Sequence, residues 1–216
     1  MTLDQYRSLA NRLLEPWVKL ALRLNLTPDG ISVLAFLLAV SAGLSYLFAG
    51  GGSVLLGRLG LAGDATPIFY LVGALLVFCN GWLDLLDGAV ARRLDTASRA
   101  GDLLDHVLDR YADIVILAGL AGGLGQYALG FLAVTGVLMT SYLGTQAQAV
   151  GLDRVYGGLV GRADRLALIG LVTAVSAFVP GAFGGLTLVG WLLVFFAVIG
   201  HFTAVQRFYY AMRALS

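Results

Sequence analysis

Charge is scarce in this chain. Asp, Glu, Lys and Arg make up 12% of its 216 residues, about half the share of an average soluble domain, which excludes a water-soluble enzyme. No charged residue occurs in Gly30 to Gly57, Ala65 to Leu83, Ile114 to Leu152 or Leu166 to Gln206. A bilayer crossing takes about 20 apolar residues, so the membrane is the solvent for most of the chain. Cysteine is nearly missing too: Cys79, alone inside an apolar run, makes no intrachain disulfide and reads as structural. Neither sign of charge dominates. A net charge of +1 and a pI near 7.9 give no general attraction to nucleic acid, which is not expected as a partner. Internal repeats and low-complexity segments are absent as well.

The apolar text, 59% of the residues, divides at its Gly, Pro and polar breaks into six spans near 31–50, 67–90, 102–124, 127–149, 164–180 and 185–206. Each must be helical, because lipid offers no partner to an unpaired backbone group. The expected fold is therefore all-α, a polytopic membrane protein with six transmembrane helices and both termini on one side. Of 14 basic residues only Arg58 falls in a loop on the opposite side, with Asp64 the only acid there; Arg154 is among the basic residues on the terminal side. The positive-inside rule makes that side cytoplasmic, so the expected location is the cell membrane with the termini and the polar chemistry facing the cytoplasm.

Residues 1–26 carry Leu3, Tyr6, Ala10, Leu13, Trp17, Leu20 and Leu24 at helical spacing among charged residues, which predicts an amphipathic helix lying in the interface. Pro16 should bend or divide it. Residues 27–216 then form the six-helix domain. The stretch from Ala49 to Ala65, rich in Gly50, Gly51, Gly52, Gly57, Gly60 and Gly63, reads as loop. Gly119 and Gly123, one helical turn apart, permit close helix contact in lipid.

The informative residues run Asp84-Leu-Leu-Asp87-Gly88-Ala-Val-Ala91-Arg92, with Gly101, Asp105 and Asp109 following at fixed distances. Asp84 and Asp87 share one helix face, as do Asp105 and Asp109, and the short polar loop around Leu94 to Ser98 lets the two pairs face each other. Four carboxylates so placed repel one another unless a cation joins them. Arg92, Arg93, Arg99 and Arg110 could supply it as a solvated loop network. The one-face spacing on both helices favours instead hard divalent ions such as Mg²⁺, two of which suit phosphoryl transfer. Gly88 and Gly101 leave room for a ligand beside the backbone, and Arg92 can reach a phosphate oxygen. Asp113, one turn deeper than Asp109, needs a partner and reads as an acid that supports a ligand rather than one that binds metal.

These residues match, without a gap, the signature D-x2-D-G-x2-A-R-x8-G-x3-D-x3-D of the CDP-alcohol phosphotransferase family, which this chain resembles over nearly its whole length. The resemblance implies transfer of a phospholipid moiety from a CDP-lipid, CDP-diacylglycerol or CDP-archaeol, to an alcohol, with release of CMP. By the same resemblance Asp84, Asp87, Asp105 and Asp109 hold two Mg²⁺ or Mn²⁺ ions and Asp109 is also the general base. Gly88, Arg92 and Ser98, with Asp29 and Ser32 near the first span, would contact the CDP portion, and the enzyme would be a homodimer.

Arg162, Arg165 and Arg207, from separated segments, could converge on a phosphate of the acceptor, or could serve as positive-inside anchors. The text around Ser141-Tyr142, Arg162-Ala-Asp-Arg165 and Val205-Gln206-Arg207 resembles the phosphatidylinositol phosphate and archaetidylinositol phosphate synthase branch. There, arginines matching Arg165 and Arg207 bind the acceptor phosphate. Gly144 stands where that branch usually has a basic residue, so glycerol phosphate or another alcohol remains an alternative to inositol phosphate. A Mg²⁺-dependent membrane prenyltransferase would be expected to show a second Asp-rich motif, and a cation transporter would favour sites at the bilayer midplane.

Overall fold

A computed structural model describes residues 7–51, 53–60, 67–96, 98–152 and 160–215. Leu3, Tyr6, Gly52, Gly63, Asp64 and Arg154, on which the sequence reading also drew, lie outside these residues. Eight helices are described: α1 Arg7–Arg23, α2 Pro28–Ala49, α3 Val54–Arg58, α4 Ile68–Leu94, α5 Arg99–Leu124, α6 Tyr127–Ala149, α7 Arg162–Ser176 and α8 Leu188–Leu215. The fold is all-α except for one minimal ribbon between α7 and α8, in which β1 Ala182–Phe183 pairs antiparallel with β2 Leu186–Thr187. Gly184 and Gly185 turn it at positive φ, a conformation that the missing Cβ makes accessible.

Four helices, α2, α4, α6 and α8, are long and apolar enough to cross a membrane. The expected six is met by composition only to that extent, for two physical reasons. Helix α5 concentrates its charge between Arg99 and Asp113, and α7 has only 15 residues and ends at Ser176 rather than near 180. Other boundaries also differ. Helix α4 runs to Leu94 and α8 to Leu215, beyond the ends of the apolar runs, because helical hydrogen bonding continues past the point where the sequence turns polar.

Helix α1 contains Pro16 without being divided by it. Its Leu14, Val18 and Ala21 are buried in a cluster with Ile31 of α2 and Leu86 and Val90 of α4, and this tertiary packing outweighs the lost hydrogen bond. Trp17 meets Trp82 of α4 edge to face, with ring centroids 6.3 Å apart. Leu13, Trp17 and Leu20 of this helix, and Leu24 just after it, stay exposed. The stretch expected to be loop contains α3, whose five residues form a single helical turn begun by Ser53, with its Oγ accepting from Leu56 N.

The main core is built from α2, α4, α5, α6, α7 and α8 around Tyr46, Val77, Ile116, Leu120, Leu193 and Phe196. Tyr46 hydroxyl is satisfied at 3.0 Å by Thr173, which ties α2 to α7. In α6 and α8, Thr140 Oγ1 donates to Gly200 O and His201 meets Thr135 at 3.3 Å, a hydrogen-bonded structural role. Helices α2 and α5 pack backbone to backbone at Gly43, Gly119 and Gly123, where a Cβ would meet the opposite main chain. That contact brings the N-terminal ends of α2 and α5 together beside α4.

Candidate active site

Helix α2 begins at Thr27, whose Oγ1 accepts from Gly30 N at 3.1 Å, and Pro28 takes the first helical position, where its missing N–H is harmless. Asp29 and Ser32 thereby stand in the first turns of α2. Helix α5 begins at Ser98 in the same manner, with Ser98 Oγ accepting from Gly101 N at 3.0 Å. Between them lies the last third of α4. A cleft of about 210 Å³ is bounded by Asp29 and Ser32 of α2, Asp87, Gly88 and Arg92 of α4, and Ser98, Gly101, Asp102 and Asp105 at the start of α5. The five residues expected to contact a CDP moiety, Asp29, Ser32, Gly88, Arg92 and Ser98, thus border one cleft.

Both glycines of the motif have polar side chains of the protein close by. A Cβ on Gly101 would sit 3.1 Å from Asp29 Oδ1, and one on Gly88 would sit 3.3 Å from Arg92 Nη1, so both positions keep polar groups close to a helix backbone. Asp87 is 6% exposed and accepts from Ser32 Oγ at 2.7 Å. Among the described residues it has no cationic partner, which leaves a buried carboxylate in need of positive charge.

The remaining acids lie behind the cleft. Asp84, Asp105 and Asp109 border one small cavity with Ser32, Asn80 and Arg162. Arg162, at the start of α7, places its guanidinium between two of them. Its Nη1 binds Asp84 Oδ2, and its Nη2 lies 2.8 Å from Asp109 Oδ1. With Arg162 in place the cavity has no room for a further water molecule, and among the described residues no three His, Cys, Asp or Glu side chains close around a single point. Asp84 and Asp109 converge on the Arg162 guanidinium, whereas among the described residues Asp87 and Asp105 have no cationic partner. Carboxylate oxygens are the donor type that suits hard divalent ions.

Of the four arginines of a solvated loop network, Arg92, Arg93 and Arg99 are exposed and only Arg110 joins the acids, together with Arg162. Asp113 is 4% exposed and accepts from Arg110 Nη1 at 3.1 Å and Arg165 Nη2 at 2.7 Å. Arg165 and Arg207 each lie near Thr140: Arg165 borders a small cavity with it, and Arg207 Nη1 donates to its carbonyl oxygen at 2.6 Å. Arg162 is not with them but among the carboxylates. Sequence reasoning passed over Asn80, 1% exposed, which donates to Ala35 O at 2.9 Å and leaves Oδ1 without a protein partner beside the acids. Its signal was present, since it lies four residues before Asp84 on the same helix face.

Carboxylates from two helices beside a polar cleft, in a chain of membrane helices, form a donor set of the kind that phosphoryl transfer uses. The chain belongs to the CDP-alcohol phosphatidyltransferase family, whose match covers residues 25–203. It is 31% identical to the archaetidylinositol phosphate synthase of Methanothermobacter thermautotrophicus, over 99% of this chain and 95% of that one. It is 28% identical to the inner membrane protein YnbA of Escherichia coli, over 83% of each. Two crystal structures of the Mycobacterium tuberculosis phosphatidylinositol phosphate synthase share the fold. The one in complex with manganese and citrate has a TM-score of 0.73 at 25% identity, covering 92% of this chain and 88% of that one. The one with CDP-DAG bound has a TM-score of 0.71 at 26% identity, covering 93% and 94%. The protein is thus a membrane-embedded transferase of phospholipid synthesis, and the prenyltransferase and transporter alternatives fall away.

Proposed function

We propose that this enzyme moves a phosphatidyl or archaetidyl group from a CDP-lipid to the hydroxyl of inositol phosphate and releases CMP. The observation that carries the reading is the single cleft formed by Asp29, Ser32, Gly88, Arg92 and Ser98 directly beside the carboxylates, with arginines on the far side. Similarity to archaetidylinositol phosphate and phosphatidylinositol phosphate synthases over nearly the whole chain supports the choice of acceptor.

Asp84, Asp87, Asp105 and Asp109 would hold two divalent ions, Mg²⁺ or Mn²⁺, whose chemistry is to neutralise the diphosphate and the departing CMP. Arg92 binds a phosphate oxygen of the nucleotide, while Ser32 and Asp29 orient it from α2. Asp109 takes the proton from the acceptor hydroxyl, whose oxygen then attacks the lipid-side phosphorus. The arrangement needs the reacting phosphorus near the headgroup boundary, which helices α5 and α7 allow by completing a six-helix bundle whose polar end faces the cytoplasm. Residues 1–26 lie along that surface as an interfacial helix, and residues 27–216 form the catalytic domain.

Arg165 and Arg207 bind the acceptor phosphate, and Arg162, at the carboxylates, links that site to the cleft. Truncating Arg165 or Arg207 to Ala is expected to raise the acceptor KM about tenfold or more while the CDP-lipid KM stays within twofold, since a hydrogen bond to a charged group contributes about 1.5–3 kcal/mol. An unchanged acceptor KM would put the phosphate elsewhere. The decisive experiment gives the purified protein a CDP-lipid, Mg²⁺ and a panel of alcohols with and without phosphate, and measures CMP. Inositol phosphate should give the fastest release. Faster release with glycerol phosphate would reassign the acceptor, and the absence of the basic residue at Gly144 makes that the comparison to run first.

A further inference from the structure

The charged side chains behind the cleft form one alternating series. Asp84 of α4 binds Arg162 of α7; Arg162 lies 2.8 Å from Asp109 of α5; Asp109 lies 3.7 Å from Arg110; Arg110 lies 3.1 Å from Asp113; and Asp113 lies 2.7 Å from Arg165 of α7. Three acids and three arginines from three helices alternate without a break. The last pair is the most deeply buried, with Asp113 4% and Arg165 6% exposed.

A buried pair of this kind is weak support for stability by itself, because the desolvation of two ions consumes most of their attraction. It does fix geometry. Asp113 takes both arginines through the same oxygen, Oδ2, and so holds Arg165 at Nη2 alone. A guanidinium has five N–H donors in a rigid planar fork. Anchoring one nitrogen fixes that corner of the fork, and Arg165 Nε is buried with no partner in the protein. The side chain is therefore held at one corner with donors left over.

We propose that Asp113 is a positioning residue for the acceptor: it clamps Arg165 so that the remaining donors of the fork meet the acceptor phosphate. The proposal rests on the reading above that Arg165 binds that phosphate. Without Asp113, Arg110 and Arg165 would face each other as like charges, and Arg165 would turn away from the plane the phosphate needs.

Asp113→Asn keeps the size of the side chain and removes its charge. It is expected to raise the acceptor KM about tenfold with the CDP-lipid KM within twofold, and to add nothing in an Arg165→Ala background, as a double-mutant cycle reports for residues acting through one another. An equal rise in both backgrounds would show that Asp113 does not act through Arg165 and would overturn the proposal. So would an unchanged KM in Asp113→Asn beside a raised KM in Arg165→Ala. If Arg165→Ala itself leaves the acceptor KM unchanged, the acceptor-site reading fails first and the clamp falls with it. Should Asp113→Asn not fold, Asp113→Glu keeps the charge and displaces it by one methylene; a severalfold rise in acceptor KM supports the clamp and an unchanged value overturns it.

Discussion

Asp109→Asn is expected to lower CMP release by about 10³-fold, or roughly 4 kcal/mol in the barrier, while the protein stays folded and still binds the CDP-lipid. One substitution removes two things. General-base catalysis is worth about 10²–10⁴-fold, and the same carboxylate is one of the four oxygen donors proposed for the divalent ions. The fold should survive because Asn matches Asp in volume and its carbonyl can still accept from Arg162 Nη2, which lies 2.8 Å from Asp109 Oδ1. Nucleotide binding should survive because Asp29, Ser32, Arg92 and Ser98 border the cleft from other positions. Two measurements check this, equilibrium binding of the CDP-lipid and single-turnover CMP release. Asp95→Asn is the matched control. Asp95 is an exposed helix cap at φ 53°, a conformation that Asn adopts readily, and its loss of charge should leave turnover unchanged. Near-normal release by Asp109→Asn would remove it as the base.

The carboxylate pairs were legible in the sequence because helical spacing alone places Asp84 with Asp87 and Asp105 with Asp109, and a short connection returns the second pair to the first. The cleft was legible only through family resemblance: nothing local in the text around Asp29 shows that α2 will sit against Gly101. The arginines were the least legible. Arg162 lies 78 residues from Asp84, and what brings them together is the packing of α7 against α4, which no periodicity reports. Its neighbour Arg165, three residues on, turns to Asp113 instead, so two arginines of similar context serve different acids. Composition correctly marked the chain as membrane helices yet blurred their ends. Helix α5 is apolar at one end and acidic at the other, so composition alone does not mark it as a span. Pro16 shows the reverse limit, a local breaker overridden by the buried contacts of Leu14, Val18 and Ala21.

Gly119→Val is expected to disrupt the protein as a whole, although the residue touches no part of the site. A Cβ at Gly119 would press into the main chain of Gly43 in α2, lying within 2.7 Å of its C and Cα atoms. Gly43 is equally constrained, since its own Cβ would come within 3.1 Å of the Val115 carbonyl carbon. Neither contact can be relieved by turning a side chain, because backbone faces backbone. The helices must move apart, and overpacking of about 3 kcal/mol or more follows. In lipid no hydrophobic driving force presses helices together again, so the lost van der Waals contact is not recovered by sliding. Separation of α2 from α5 also pulls Ser32 and Asp29 away from Asp105 and Gly101, which dismantles the cleft from one side. The measurements are thermal unfolding in detergent, with a fall of roughly 10 °C expected, and CDP-lipid binding, which should weaken in parallel. Gly170→Ala distinguishes this from a general intolerance of helix glycines: its Cβ would meet only Ala74 O at 3.8 Å, an ordinary contact, and the better helix former should leave stability equal or higher. If Gly119→Val unfolds no earlier than Gly170→Ala, the close approach of α2 and α5 is not what holds the two halves of the site together.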